Sequence, residues 1–176
     1  MTTGPLFDLL TTIPPAFVVL GAAVLVALLP RDVGHIVGFV TSLAVVPWVL
    51  VLRSSPGTYL ETAFMGFEVV LLNIDDFSVV MAVIFGGFGA AAVAYSYYVG
   101  ATRLQTAFAV SYVGTSVGAV LVGDWLTLLF FWELMAITST LLVWHYGGKA
   151  VRAGYRYALL HGAGGSLLMS AIVLNY

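Results

Sequence analysis

The stretch Gly123-Asp-Trp-Leu-Thr-Leu-Leu-Phe-Phe-Trp-Glu-Leu-Met-Ala-Ile-Thr-Ser-Thr-Leu-Leu-Val-Trp-His145 decides the fold class. It is long enough to cross a bilayer as a helix, since about 20 mostly apolar residues span the hydrocarbon core. One ionisable group, Glu133, lies near its middle. On insertion scales a comparable Asp at that depth costs about 2.5–3.5 kcal/mol. Two uses account for such an acid. It belongs to an ion or proton pathway, or it is held neutral and hydrogen-bonds a neighbouring helix as packing glue. The rest of the chain is expected to be arranged around this helix.

The composition agrees with a membrane solvent. Apolar residues make up 61% of the 176 and charged residues only 8%, where a soluble domain has about a quarter of its residues charged. Mean hydropathy is +1.07. The absence of Cys excludes disulfides and thiolate-held metals or clusters within these residues. A formal charge of −2 without a basic run gives nucleic acid no footing. The opening Met1 to Thr12 holds Asp8 and no Lys or Arg. It lacks the positive segment of a signal peptide, so the first apolar run is expected to stay in the mature protein.

Working outward, the spacing predicts six membrane helices, at about 13–29, 35–52, 77–98, 104–122, 124–145 and 155–176. Pro14 and Pro15 suit the start of the first and Pro30 its end. Pro47 is expected to kink the second. The segment 53–76 opens with the turn cluster Arg53-Ser-Ser-Pro-Gly57 and continues through the β-leaning Phe67-Glu-Val-Val-Leu-Leu-Asn73. It reads as a β-hairpin with a solvated acidic face of Glu61, Glu68, Asp75 and Asp76. The last two are also suited to capping the next helix.

Gly86, Gly87, Gly89 and Ala90 to Ala92 allow close helix approach in the third span, and Tyr95, Tyr97 and Tyr98 read as interfacial anchors. Gly114-Thr-Ser-Val-Gly118 is a GxxxG packing surface in the fourth. A linker, Tyr146 to Gly154, precedes the sixth, where Ala158, Gly162, Ser166 and Ser170 form a small-residue stripe expected to pack tightly. Arg31, Arg103, Lys149, Arg152 and Arg156 fall at one end of the predicted bundle and Arg53 alone at the other. The positive-inside rule then places the hairpin and both termini on the extracytoplasmic side of a multi-pass protein of the cell membrane.

A helical wheel puts Leu129, Phe130, Ala136, Ile137 and Thr140 on the Glu133 side of its helix. Thr138 and Ser139 are expected to satisfy backbone carbonyls. Glu133 is the candidate proton relay and His161, about two turns into the next helix, its candidate relay partner. His35 and His145, at helix ends, read as ordinary interfacial residues. Two histidines on facing helices can also ligate a b-type haem, but these three do not form matched pairs at equal depth. With no phosphate loop, nucleophile triad or metal cluster visible, no cofactor or metal and no chemical active site is expected. A purely structural membrane subunit is the remaining alternative.

Asp124 to Val143, with its Trp132-Glu133-Leu134-Met135 core and hydroxyl-rich turn, resembles the fifth-helix signature of the antiporter-like family. That family comprises large membrane subunits of Mrp-type cation/proton antiporters and the proton-pumping subunits of respiratory complex I and of membrane-bound hydrogenases. Leu72-Asn-Ile-Asp-Asp-Phe-Ser78, Ala94-Tyr-Ser-Tyr-Tyr98 and Ala153-Gly-Tyr-Arg-Tyr-Ala-Leu-Leu-His161 extend the resemblance over roughly Phe67 to the C-terminus, which is most similar to the D-type Mrp subunit or its hydrogenase relatives. The first two helices match only in character.

The resemblance implies an N-terminal portion of such a subunit, moving protons and monovalent cations beside other membrane subunits. It implies that Glu133 exchanges protons with a Lys on a seventh, broken helix. That helix lies beyond Tyr176, and Lys149 in the cytoplasmic linker cannot replace its Lys. The chain is therefore expected to be one piece of a split or truncated subunit, or to work beside another chain that supplies the Lys.

Overall fold

The computed structural model describes residues 5–175, and its order is α1 (Pro5–Thr12), α2 (Pro15–Leu28), α3 (Arg31–Leu52), β1 (Gly57–Phe64), β2 (Phe67–Ile74), α4 (Asp76–Tyr98), α5 (Arg103–Leu121), α6 (Trp125–Trp144) and α7 (Lys149–Asn175). Five of these helices, α3 to α7, are long and apolar enough to cross a membrane. The chain is a mostly helical, multi-pass membrane protein with one small antiparallel sheet.

The first predicted span is shorter than expected. Pro14 and Pro15 end α1 and start α2, leaving α2 with 14 residues, a length of about 21 Å against a hydrocarbon core of about 30 Å. Pro30 shifts the next boundary the other way. Its carbonyl accepts the Gly34 N–H at 2.8 Å, so the helix begins at Arg31 and not at His35. That helix then runs to Leu52 across Pro47.

A further correction concerns the centre of the bundle. The helix that the others surround is α5, whose apolar window is 56% buried, against 28% for the α6 window that holds Glu133. Small residues explain the choice. Gly114 stands against Leu20 of α2, and Gly118 against the Phe131 ring of α6. The GxxxG match therefore admits two different helices. Val110, Val113, Val117 and Leu121 of α5 complete the core with Val45 and Val49 of α3 and Val79, Ala82 and Val93 of α4.

The sheet is a two-stranded hairpin that pairs Gly57 with Ile74 and Phe64 with Phe67. Met65 and Gly66 form its two-residue turn with φ of 51° and 87°, the positive values that a right-twisted hairpin requires. Its base is held by Asp124. One carboxylate oxygen accepts the Thr127 N–H at 2.8 Å and caps α6; the other accepts the Val70 N–H at 2.8 Å. The Gly123 N–H completes the junction by donating to the Val70 carbonyl at 2.9 Å. Asp75 caps α4 in a reciprocal box with Ser78, while Asp76 pairs with Arg53 at 3.1 Å.

Helix α7 packs against α6 and is otherwise open, with 11% of its apolar window buried. It begins at Lys149, so the expected linker shrinks to Tyr146–Gly148, where Gly147 and Gly148 adopt φ of 66° and 52°. The predicted stripe is not its packing face. Ser166 and Ser170 are exposed and bond back to the carbonyls of Gly162 and Ser166, whereas Gly154, Gly165 and Ile172 are buried.

Candidate functional site

Glu133 is the ninth residue of α6, about 12 Å along the helix from Trp125. Its position follows from the Asp124 cap, which fixes where the helix starts. The side chain is half-buried and lines a groove of about 210 Å³ between α6 and α7, open to the outside of the bundle. The carboxyl lies directly over the Gly165 backbone, occupying the space that any Cβ at that position would need. Among the described residues Glu133 has no hydrogen-bond or ion-pair partner. Packing glue would require a donor on a neighbouring helix, and α7 presents only the bare backbone of a glycine there.

A second close approach fixes the register. The Trp144 ring packs on Gly154 just as Glu133 packs on Gly165. Eleven residues separate each pair, three turns along both antiparallel helices. Thr140 is brought into the same groove as Glu133; it is buried, and its hydroxyl donates to the Ala136 carbonyl at 2.7 Å. Thr138 and Ser139 likewise donate to the Met135 carbonyl at 3.1 and 2.7 Å.

His161 is not brought to Glu133. It lines a different groove with Trp132, Tyr157, Leu160 and Gly164, its ring 4.5 Å from that of Tyr157. In the α6–α7 register it stands one turn from Gly165 toward the Lys149 end, on the other flank of the helix contact. Lys149 is exposed at the first position of α7, about 24 Å along the helix from Gly165.

The histidine that the structure does bury is His35, 3% exposed. Its Nδ1 is 2.8 Å from the Arg31 carbonyl and its Nε2 is 2.8 Å from the Thr106 hydroxyl. The Tyr97 ring stands edge-on to it at 5.4 Å. His145 holds the hydroxyl of Thr102, the N-cap residue of α5, at 2.8 Å. Arg31 donates to the carbonyls of Ala101 and Tyr97, both at 2.9 Å, and lies over the Tyr97 ring. Tyr97 thus makes structural contacts while remaining exposed, as Tyr95 and Tyr98 are.

Sequence reasoning left His35 at an interface because it started the helix there. The signal that finds it is the spacing 35, 38, 42, 45, 49, 52, the helical period of the buried face of α3.

No family model, curated protein or solved structure matches the chain. Fold and site together define a class: a multi-pass helical membrane protein with an acid in mid-helix that has no partner among the described residues and faces a groove at the edge of its bundle.

Proposed function

We propose that this chain is a membrane subunit, or the N-terminal part of one, of a multisubunit cation/proton antiporter of the antiporter-like kind, and that Glu133 relays its protons. The homologous proton-pumping subunits of complex I and membrane-bound hydrogenases use the same chemistry and are the alternative setting. In this reading α3 to α7 cross the membrane and the 14-residue α2 is a short sixth span, with the five-to-one distribution of basic residues holding the Arg31, Arg103 and Lys149 end in the cytoplasm.

The observation that carries the reading is that Glu133 has no partner among the described residues. A carboxyl kept at mid-depth without a donor, on an open groove, is arranged to meet a group from outside these residues. A Lys from a further helix or a second chain fits the groove in charge and size. Such a pair moves a proton by exchange. The acid holds the proton when the Lys is charged and distant, and releases it when the ammonium approaches and stabilises the carboxylate.

The test is chemical. A lipid-soluble carbodiimide adds to protonated carboxylic acids within membranes, and mass spectrometry locates the adduct. Modification at Glu133 with parallel loss of cation-driven proton transport is expected. An unreactive Glu133 in an actively transporting complex would remove the proposal.

A further inference from the structure

The strongest unassigned group is His35, a buried titratable side chain remote from the α6–α7 groove. The Arg31 carbonyl can only accept, so Nδ1 carries a hydrogen and donates to it. In the neutral ring Nε2 is then an acceptor, and Thr106 donates its hydroxyl hydrogen to it. Thr106 has a second acceptor in reach, the Thr102 carbonyl at 3.2 Å, and the Ser96 hydroxyl lies 3.5 Å away. If Nε2 gains a proton, it becomes the donor to Thr106 Oγ1. The Thr106 hydrogen then turns to the Thr102 carbonyl. Both charge states are fully hydrogen-bonded with every heavy atom where it stands.

We propose that His35 and Thr106 form a second proton-binding site, on the α3–α5 contact at the basic end of the bundle, that loads and unloads by hydroxyl rotation. The proton arrives through Ser96, which is half-buried on α4 and at rest donates its hydroxyl hydrogen to the Val93 carbonyl at 2.8 Å. That hydroxyl turns from the carbonyl to pass its hydrogen to Thr106 Oγ1 while the Thr106 hydrogen passes to Nε2, and Ser96 takes a replacement from solvent. Arg31 and Asp32 on the same helix and Tyr97 from α4 are the described charged and titratable groups set against the ring, and His145 stands one turn off, on the Thr102 hydroxyl. Val26 of α2 brings no titratable group, meeting Gly34 with its backbone and side chain and Gly38 with its side chain. Asp32 lines the same groove as His35 and offsets Arg31, which is 3.7 Å from it. The site does not depend on the role given to Glu133.

The experiment follows the ring nitrogens of ¹⁵N-histidine-labelled protein in lipid nanodiscs from about pH 5 to about pH 8. His145→Gln with His161→Gln leaves His35 as the one remaining histidine of the three and assigns its signal. The ring is expected to pass from the Nδ1–H form to the doubly protonated form as pH falls. Thr106→Val removes the hydroxyl partner of Nε2. It should move the Nε2 shift of the neutral ring from that of a hydrogen-bonded acceptor to that of a free one, and Thr106→Ser should restore it. A ring that keeps one form throughout, or an Nε2 signal that Thr106→Val leaves in place, would overturn the site. The wild-type titration alone decides if the valine variant does not fold.

Discussion

Glu133 and Gly165 share one volume: the carboxyl of the first rests where the second has no side chain. The α6–α7 contact is therefore built around the acid. Gly165→Ala should push the carboxyl out of the seam and reduce transport, at an overpacking cost of about 1–3 kcal/mol. Gly162, on the same helix and in the same groove, has open space at its Cβ position. Gly162→Ala should leave both transport and thermal stability near wild type. Equal losses from the two variants would mean that the helix surface, and not the acid, is what matters.

The central helix makes a parallel prediction about stability alone. A Cβ at Gly118 would enter the ring of Phe131, and one at Gly114 would press on Leu20. Gly118→Ala should be the worse of the two, because a packed ring has less room to retreat than a Leu side chain. A loss of about 1–3 kcal/mol is expected in detergent unfolding, with no comparable loss for Gly87→Ala, which meets nothing.

Asp124 joins the hairpin to α6 through both of its oxygens. Asp124→Ala removes a helix cap worth about 1 kcal/mol and leaves the partly buried Val70 N–H without its acceptor. Hydrogen exchange should accelerate at Val70 and at Thr127 together. Faster exchange at Thr127 alone would show that the hairpin is held by other contacts.

These relationships explain what was legible in the sequence. The apolar runs that became α3 to α6 were long enough to read directly, and the turn cluster before the β-leaning segment gave the hairpin. The start of α7 was hidden because Lys149, Arg152 and two glycines look like a linker, whereas an exposed first turn accommodates charge readily. The small-residue stripe failed for a related reason. Ser166 and Ser170 satisfy themselves on their own helix, so small size there does not signal a neighbour. Glu133 itself was visible as an acid in an apolar run. That it would sit on a glycine, on the opposite flank from His161, depends on the register between two helices, which the local sequence does not carry.

Orientation can be tested without background labelling, since the chain has no Cys. A single Cys at Ser55, beside the hairpin, should react with a membrane-impermeant thiol reagent applied outside. One at Gly148, in the α6–α7 turn, should react only after the membrane is opened. The reverse pattern would invert the proposed orientation of the bundle.

The central claim, that Glu133 acts as an acid, is tested most directly by Glu133→Gln in the assembled complex, with proton-coupled cation transport measured across pH. Gln retains the volume over Gly165 and the capacity for a hydrogen bond but cannot exchange a proton. Assembly should persist while transport is abolished or greatly slowed, and Glu133→Asp, with its carboxyl one methylene shorter, should retain part of the activity. An amide serving only as interhelical glue would change little, since such membrane hydrogen bonds average about 0.6 kcal/mol. Transport by the Gln variant at the wild-type rate, with the wild-type pH dependence, would contradict the account.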